Sequence, residues 1–182
     1  TTTPWTLPGN VALAVGKDIN YVKVETLNAD LRAKDGKILY EKLIIARDVF
    51  ESLYERDNKD ALKLGFNLVY AHAEKEGEET IKGPRIVSEF KGKNLIGLEY
   101  EPLFPFFADT ITDAEKPRLK NAYKIYPADF VNTKDGTGIV HTAVMYGQDD
   151  FELGTKVSLP KHHTVNLEGK FIKGTGFLEG RF

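Results

Sequence analysis

Apolar and polar positions alternate in two early stretches of the chain. VALAV (Val11–Val15) and YVKVE (Tyr21–Glu25) read as short strands separated by the turn GKDIN. In the second, Val22 and Val24 share one face while Tyr21, Lys23 and Glu25 share the other, the pattern of a half-buried strand. The period then changes. After the turn KDGK (Lys34–Lys37), the run KILYEKLIIARDVFESLYERD places Leu43, Ala46, Val49, Phe50, Leu53 and Tyr54 at steps of three and four, which predicts an amphipathic helix. NLVYAHA (Asn67–Ala73) and RIVSEF (Arg85–Phe90) read as strands around the solvated segment KEGEET.

Farther on, FKGKNLIGLEYEPLFPFF is rich in glycine, proline and aromatics and predicts irregular but packed chain. DTITDAEKPRLKNAY (Asp109–Tyr123) is polar and interrupted by Pro117, so it reads as an exposed excursion. KIYPADFV and GIVHTAVMY are two apolar runs joined by NTKDGT, a hairpin-like turn. QDDFELGTKV carries helix-start chemistry, with Asp149 or Asp150 able to cap free N–H groups. The tail from His162 reads as strands and turns. The expected class is α+β, dominated by strands, with no internal repeat or linker.

Composition narrows this picture. With 182 residues, 41% hydrophobic and 11% aromatic, the chain is long enough for one domain with a real core. No apolar run approaches the ~18 residues of a membrane span, and no secretory leader pattern opens the chain, so no membrane partner is expected. The absence of cysteine excludes disulfides, thiolate metal sites and cysteine nucleophiles, and fits a cytoplasmic location. A formal net charge of −2 argues against gripping nucleic acid by bulk electrostatics. It leaves open a local pocket for a single-stranded RNA end, which works by stacking and directed hydrogen bonds.

Candidate chemistry is sparse. Ser52, Ser88 and Ser158 lie in no nucleophile-elbow context, so a serine triad has no support. His72, His141, His162 and His163 lack a metal-ligand spacing, and neighbours such as His162 and His163 would point apart in a strand; no metal site is expected. DGTG lacks the Lys-Ser/Thr completion of a phosphate loop. What stands out is His141 followed by Asp150 across HTAVMYGQDD, together with the threonine-rich start. Each has a plain structural alternative: a core histidine, a helix cap, a β-branched strand residue.

The order of blocks decides between these readings. TTTPWTLPGN followed by VALAV, then GLEYEPLFP, then PADFV and DGTGIVHTA with a following DD, resembles the editing domain of isoleucyl-tRNA synthetase. The likeness runs from the first residue to about Phe171. The valyl and leucyl branches differ in the first block, where arginine usually replaces the third threonine. The resemblance implies a β-barrel-like CP1 editing domain with peripheral helices, spanning 1–182, inserted into a class I catalytic domain that is absent here. The lack of an initiator methionine fits such an excised piece. On this resemblance ATP and Mg serve only the missing synthetic domain, and editing needs no cofactor.

The implied activity is hydrolysis of valine from valyl-tRNA(Ile), and of valyl-adenylate. One methylene supplies only ~1–3 kcal/mol of discrimination, a limit for which isoleucine against valine is itself the standard illustration, so a second sieve is needed. By resemblance, Thr1, Thr2 and Thr3 line the pocket around the terminal adenosine and ester. Trp5 and Asn10 match pocket residues, and His141 matches the wall against isoleucine's extra carbon. Asp150 matches the carboxylate that holds the substrate α-ammonium. Many relatives have proline after HTA, whereas this chain has Val144, Met145 and Tyr146. Tyr146 is thus placed among the substrate-binding residues, on a pocket floor of altered shape. The implied partners are the tRNA(Ile) 3′ end and the remainder of the synthetase. The alternative is a tRNA 3′-end binding module without hydrolytic activity of its own.

Overall fold

The computed structural model describes residues 3–32, 38–55, 84–134 and 136–181. Along the described residues the regular elements are β1 (Ala12–Val15), β2 (Asn20–Arg32), β3 (Ile38–Ala46), α1 (Arg47–Glu55), β4 (Arg85–Lys91), a one-turn helix (Phe107–Thr110), β5 (Lys124–Pro127), β6 (Ile139–Thr142) and α2 (Gln148–Lys156). Short 3-10 turns join them, among them Pro4–Gly9 and Lys116–Asn121. The strands form two three-stranded sheets, β5-β1-β6 and β3-β2-β4, and no closed barrel among the described residues. The expected α+β class with much sheet is what is found. The chain divides into two compact units.

The first unit comprises Thr1–Lys17, Leu95–Val131 and Ile139–Phe182. Its central strand is β1, paired in parallel with β5 and antiparallel with β6. A central strand covered on both faces has little use for polar side chains, and Val11, Ala12, Ala14 and Val15 are fully buried. Val11 and Ala12 join Phe107, Ile111, Ala122, Val144 and Leu159 in one apolar cluster. β5 and β6 are not a hairpin, despite the turn-like NTKDGT between them: β1 lies between the two strands. Two short apolar runs beside a turn satisfied a local rule, but burying β1 on both sides required a non-local pairing.

Asp109–Tyr123 is likewise more than an exposed excursion. Asp113 and Lys116 form an exposed ion pair, but Ile111 and Ala122 are buried and Leu119 packs against the core. Pro117 sits in the first turn of a 3-10 segment, where its missing N–H costs nothing. In the tail, the described residues form turns and a single bridge between Val165 and Phe171.

The second unit comprises Asp18–Asn94 and Asn132–Gly138. β2 is its central strand, antiparallel to both neighbours. Val22 and Val24 are buried as the alternation predicts; Tyr21 is buried as well, its hydroxyl donating to the Gly138 carbonyl at 2.6 Å. The predicted helix over KILYEKLIIARDVFESLYERD is only half right. Through Ala46 the chain is strand β3, with Leu43 opposite Val24 and Ile45 opposite Val22. The run LII also alternates, with Ile45 buried and Ile44 exposed, and β-branched residues favour the strand. From Arg47 the three-and-four spacing holds, and Val49, Phe50 and Leu53 are buried. RIVSEF forms β4, the outer strand of the sheet among the described residues, with Ile86 and Val87 exposed. NLVYAHA and the KDGK turn lie outside the described residues.

Candidate functional site

All of the predicted site residues belong to the first unit, and Thr1 and Thr2 lie outside the described residues. Thr3 immediately precedes a 3-10 turn, Pro4–Gly9. Pro4 opens that turn with φ preset for it. The turn brings Thr6 back onto Thr3: the Thr6 N–H and Oγ1–H both donate to the Thr3 carbonyl, at 3.0 and 2.8 Å. Thr6 is buried, and its Oγ1 lies 3.1 Å from Nε2 of His141. Sequence reasoning did not single out Thr6. Its signal was the three-residue step from Thr3 across a proline-led turn.

His141 is the third residue of β6 and pairs with Leu13 of β1, so the two side chains share a face of the sheet. Thr142 pairs with Ala12 on the opposite face and is fully buried. His141 is half-buried, and burial pulls its pKa below the usual 6.5, which favours the neutral ring.

Trp5 and Tyr146 meet edge to face at 4.9 Å between ring centroids. The Tyr146 hydroxyl is 2.9 Å from Thr164 Oγ1 and accepts the backbone N–H groups of Thr164 at 2.6 Å and Val165 at 3.2 Å. His163 packs edge-on to the same ring, whereas the adjacent His162 packs against Phe107. A β-carbon on Gly9 would lie 3.0 Å from the Tyr146 ring, so glycine there permits the close approach. The segment Val144–Tyr146 is therefore held through its tyrosine ring.

Asn10 is buried and spends its amide internally. Its Nδ2 donates to the Ala12 carbonyl at 2.9 Å and its Oδ1 accepts the Tyr100 hydroxyl. Burial, with the neighbouring Tyr123, pushes the Tyr100 phenol above its usual range, opposed by the bond to Asn10. Asn10 thus braces the chain between the 3-10 turn and β1.

Neither Asp149 nor Asp150 caps α2. The N-cap is Gly147, and no side chain caps it. Asp150 points back toward β6, its Oδ2 accepting the Ala143 N–H at 3.0 Å. Burial raises its pKa, opposed by that hydrogen bond and reinforced by the charge of Asp149. Asp149 instead lines an open cleft of about 510 Å³ with Lys17, Phe130, Glu152 and Lys156. None of the predicted site residues lines that cleft. Its charges are mixed, whereas the half-buried histidine and carboxylate lie at the end of β6, so the candidate site is placed there.

The arrangement brings Thr6 to His141 and Trp5 to Tyr146, holds Thr3 against Thr6, and ties Asp150 to the residue two beyond His141. Chemically it offers a neutral imidazole, threonine hydroxyls, an aromatic wall and one half-buried carboxylate. Among the described residues no group of three or more His, Asp or Glu is placed to hold a metal ion, and no helix is long and apolar enough to cross a membrane.

No protein-family model matches the chain. The isoleucine–tRNA ligase of Clostridium novyi (strain NT) is 39% identical over 182 residues, covering 100% of this chain and 13% of that protein. The isoleucine–tRNA ligase of Corynebacterium efficiens is 38% identical over 183 residues, covering 100% of this chain and 14% of that protein. Among solved structures, the crystal structure of GlLeuRS-CP1 matches with a TM-score of 0.50 at 17% identity, over 86% of this chain and 42% of that one; this is a likeness of fold. The chain therefore spans only a small part of the ligases it resembles. Over its whole length it is homologous to a segment of the isoleucyl-tRNA synthetases, and over 86% of its length its fold is similar to that of a CP1 domain.

Proposed function

We propose that the chain is one editing domain over residues 1–182, hydrolysing valine from mischarged valyl-tRNA(Ile), and valyl-adenylate, while sparing the isoleucyl ester. The observation that carries this reading is relatedness along the entire chain to a small segment of isoleucine–tRNA ligases, joined to a CP1-like fold. On this reading the rest of the parent synthetase and the tRNA(Ile) 3′ end are the partners. ATP and magnesium belong to synthetic chemistry outside this segment, and editing uses no cofactor.

The chemistry follows from the groups at the end of β6. The Asp150 Oδ2 is engaged by Ala143 N–H, leaving its other oxygen to accept the substrate α-ammonium as a charge-assisted hydrogen bond. That contact anchors the amino acid beside His141, whose ring forms the wall that isoleucine's extra carbon meets. Water attacks the ester carbonyl, its oxygen bonding to carbon while negative charge develops on the carbonyl oxygen. Hydroxyls and N–H groups of the Thr1–Thr3 strip stabilise that oxyanion. The bond from carbon to the ribose oxygen then breaks, the ribose oxygen takes the proton that the attacking water gives up, and free valine and tRNA leave.

Deacylation of valyl- and isoleucyl-tRNA(Ile) by the purified chain tests the proposal. Selective release of valine is expected. Binding of the tRNA end with no release would instead identify a 3′-end binding module.

A further inference from the structure

We infer that Thr6 is a positioning residue: it holds His141 as the Nε2-protonated tautomer and fixes the plane of the ring that meets the amino-acid side chain. The hydrogens available at the contact decide which atom donates. A threonine hydroxyl has one proton and two lone pairs. The Thr6 Oγ1 lies 2.8 Å from the Thr3 carbonyl oxygen, which has no proton to give, so the hydroxyl proton is committed there. The same oxygen lies 3.1 Å from His141 Nε2. Only the ring can supply the proton for that contact, so Nε2 carries hydrogen and Nδ1 carries the lone pair.

The surroundings keep this arrangement in place. Thr6 is buried, its turn is opened by Pro4 and closed by the Thr6 N–H bond to the same carbonyl, and His141 is pinned through its backbone in β6 opposite Leu13. Turning the ring over would put a C–H against Thr6 Oγ1 and forfeit the bond in a place that water reaches poorly. The wall therefore has one orientation and one pattern of donor and acceptor. An isolated histidine exchanges freely between tautomers.

The tautomer part stands by itself, and the consequence for selectivity rests on the deacylase reading above. The test is two-bond 1H–15N correlation spectroscopy of the labelled chain, with His141 assigned by His141→Gln. In the parent chain a single Nε2–H pattern is expected, with a ring N–H slow to exchange with solvent. Thr6→Val should give averaged tautomers and a rapidly exchanging N–H, and Thr6→Ser, which keeps both bonds, should restore the parent pattern. An Nδ1–H pattern in the parent chain overturns the inference even if Thr6→Val fails to fold. An unchanged spectrum in a folded Thr6→Val chain does the same. In deacylation, Thr6→Val should raise isoleucyl relative to valyl release by about tenfold, the factor expected for one lost hydrogen bond, and Thr6→Ser should not. Altered tautomers with an unchanged ratio would remove the role in selectivity. If the parent chain releases neither amino acid, the deacylase reading fails while the spectra still decide the tautomer.

Discussion

Asp150 of α2 reaches back to accept the backbone N–H of Ala143, two residues past His141, at 3.0 Å. A helix and a strand end are thereby joined through one half-buried carboxylate, and its structural and binding roles become separable. Asp150→Asn keeps an acceptor for the Ala143 N–H but removes the charge that would hold an ammonium. Asp150→Ala removes both and leaves a backbone donor without its partner, at a cost of about 1–3 kcal/mol. We expect Asp150→Asn to melt within about 1 kcal/mol of the parent and to lose valyl-tRNA(Ile) release by about 100-fold or more. Asp150→Ala should lose both stability and release. Chemical denaturation and deacylation measured side by side decide it, and undiminished release by Asp150→Asn would remove the anchoring role.

The pH dependence of that anchor has a definite sign. Burial raises the Asp150 pKa above 3.8, so the ionised form that would hold an ammonium disappears at a higher pH than for an exposed aspartate. Release of valine should therefore fall on the acid side, starting above the range of an ordinary carboxylate. Stability runs the other way. A raised folded-state pKa contributes stability at low pH that is lost as pH rises through the folded value. A pH–rate profile without an acid limb, at constant folding, would contradict the assignment.

His141 has the opposite linkage. Its folded pKa is lowered by burial, so its contribution is fully present above the unfolded value near 6.5 and is lost as pH falls toward the folded value. His162 is shifted in the same direction, by burial first and then by His163. Urea unfolding at pH 7.5 and pH 5 should show the parent chain losing stability on acidification, and His141→Gln losing less. An equal loss in both would mean that His141 titrates as it does in the unfolded chain.

Thr142 offers a simpler case. It is fully buried on the core face of β6, and its hydroxyl has no hydrogen-bond partner among the described residues. Thr142→Val keeps the β-branched shape and removes a desolvated polar group, so a gain of about 1 kcal/mol in unfolding free energy is expected. A loss would show that the hydroxyl is satisfied in solution.

Much of the first unit was legible because its signals are local. VALAV forms the expected strand, and QDDFELGTK forms the expected helix. The family likeness rested on ordered blocks and is matched by relatives along the whole chain. Pairing across long separations was not legible, so β5 and β6 read as a hairpin until β1 lay between them. The mixed period around Leu43–Ala46 hid a strand running into a helix, because apolar spacing of three and four begins before the chain turns helical. At the site, the pairing of Thr6 with His141 spans 135 positions and depends on a 3-10 turn that no spacing rule announces. Asp150 carried a double meaning in sequence, as helix cap or ligand anchor. The structure removes the cap by placing Gly147 at that position.

Gly154 tests how tightly that helix seats the segment after His141. It is buried in the last turn of α2, where alanine would ordinarily favour the helix by up to about 1 kcal/mol. Here a β-carbon would fall 2.6 and 2.7 Å from the two γ-methyls of Val144, closer than such atoms pack. Val144 is itself buried in the apolar cluster with Val11, Phe107 and Leu159, so it has little room to withdraw. The overlap outweighs the propensity gain, and Gly154→Ala should destabilise the chain by about 1–3 kcal/mol. Val144→Ala alone should also destabilise, through the cavity it opens. Combined, the two changes place a methyl where two were removed, and the loss should be clearly smaller than the sum of the singles. Denaturation of all four chains measures that coupling. Additive losses, or a stabilising Gly154→Ala, would show that α2 does not seat on Val144 this closely.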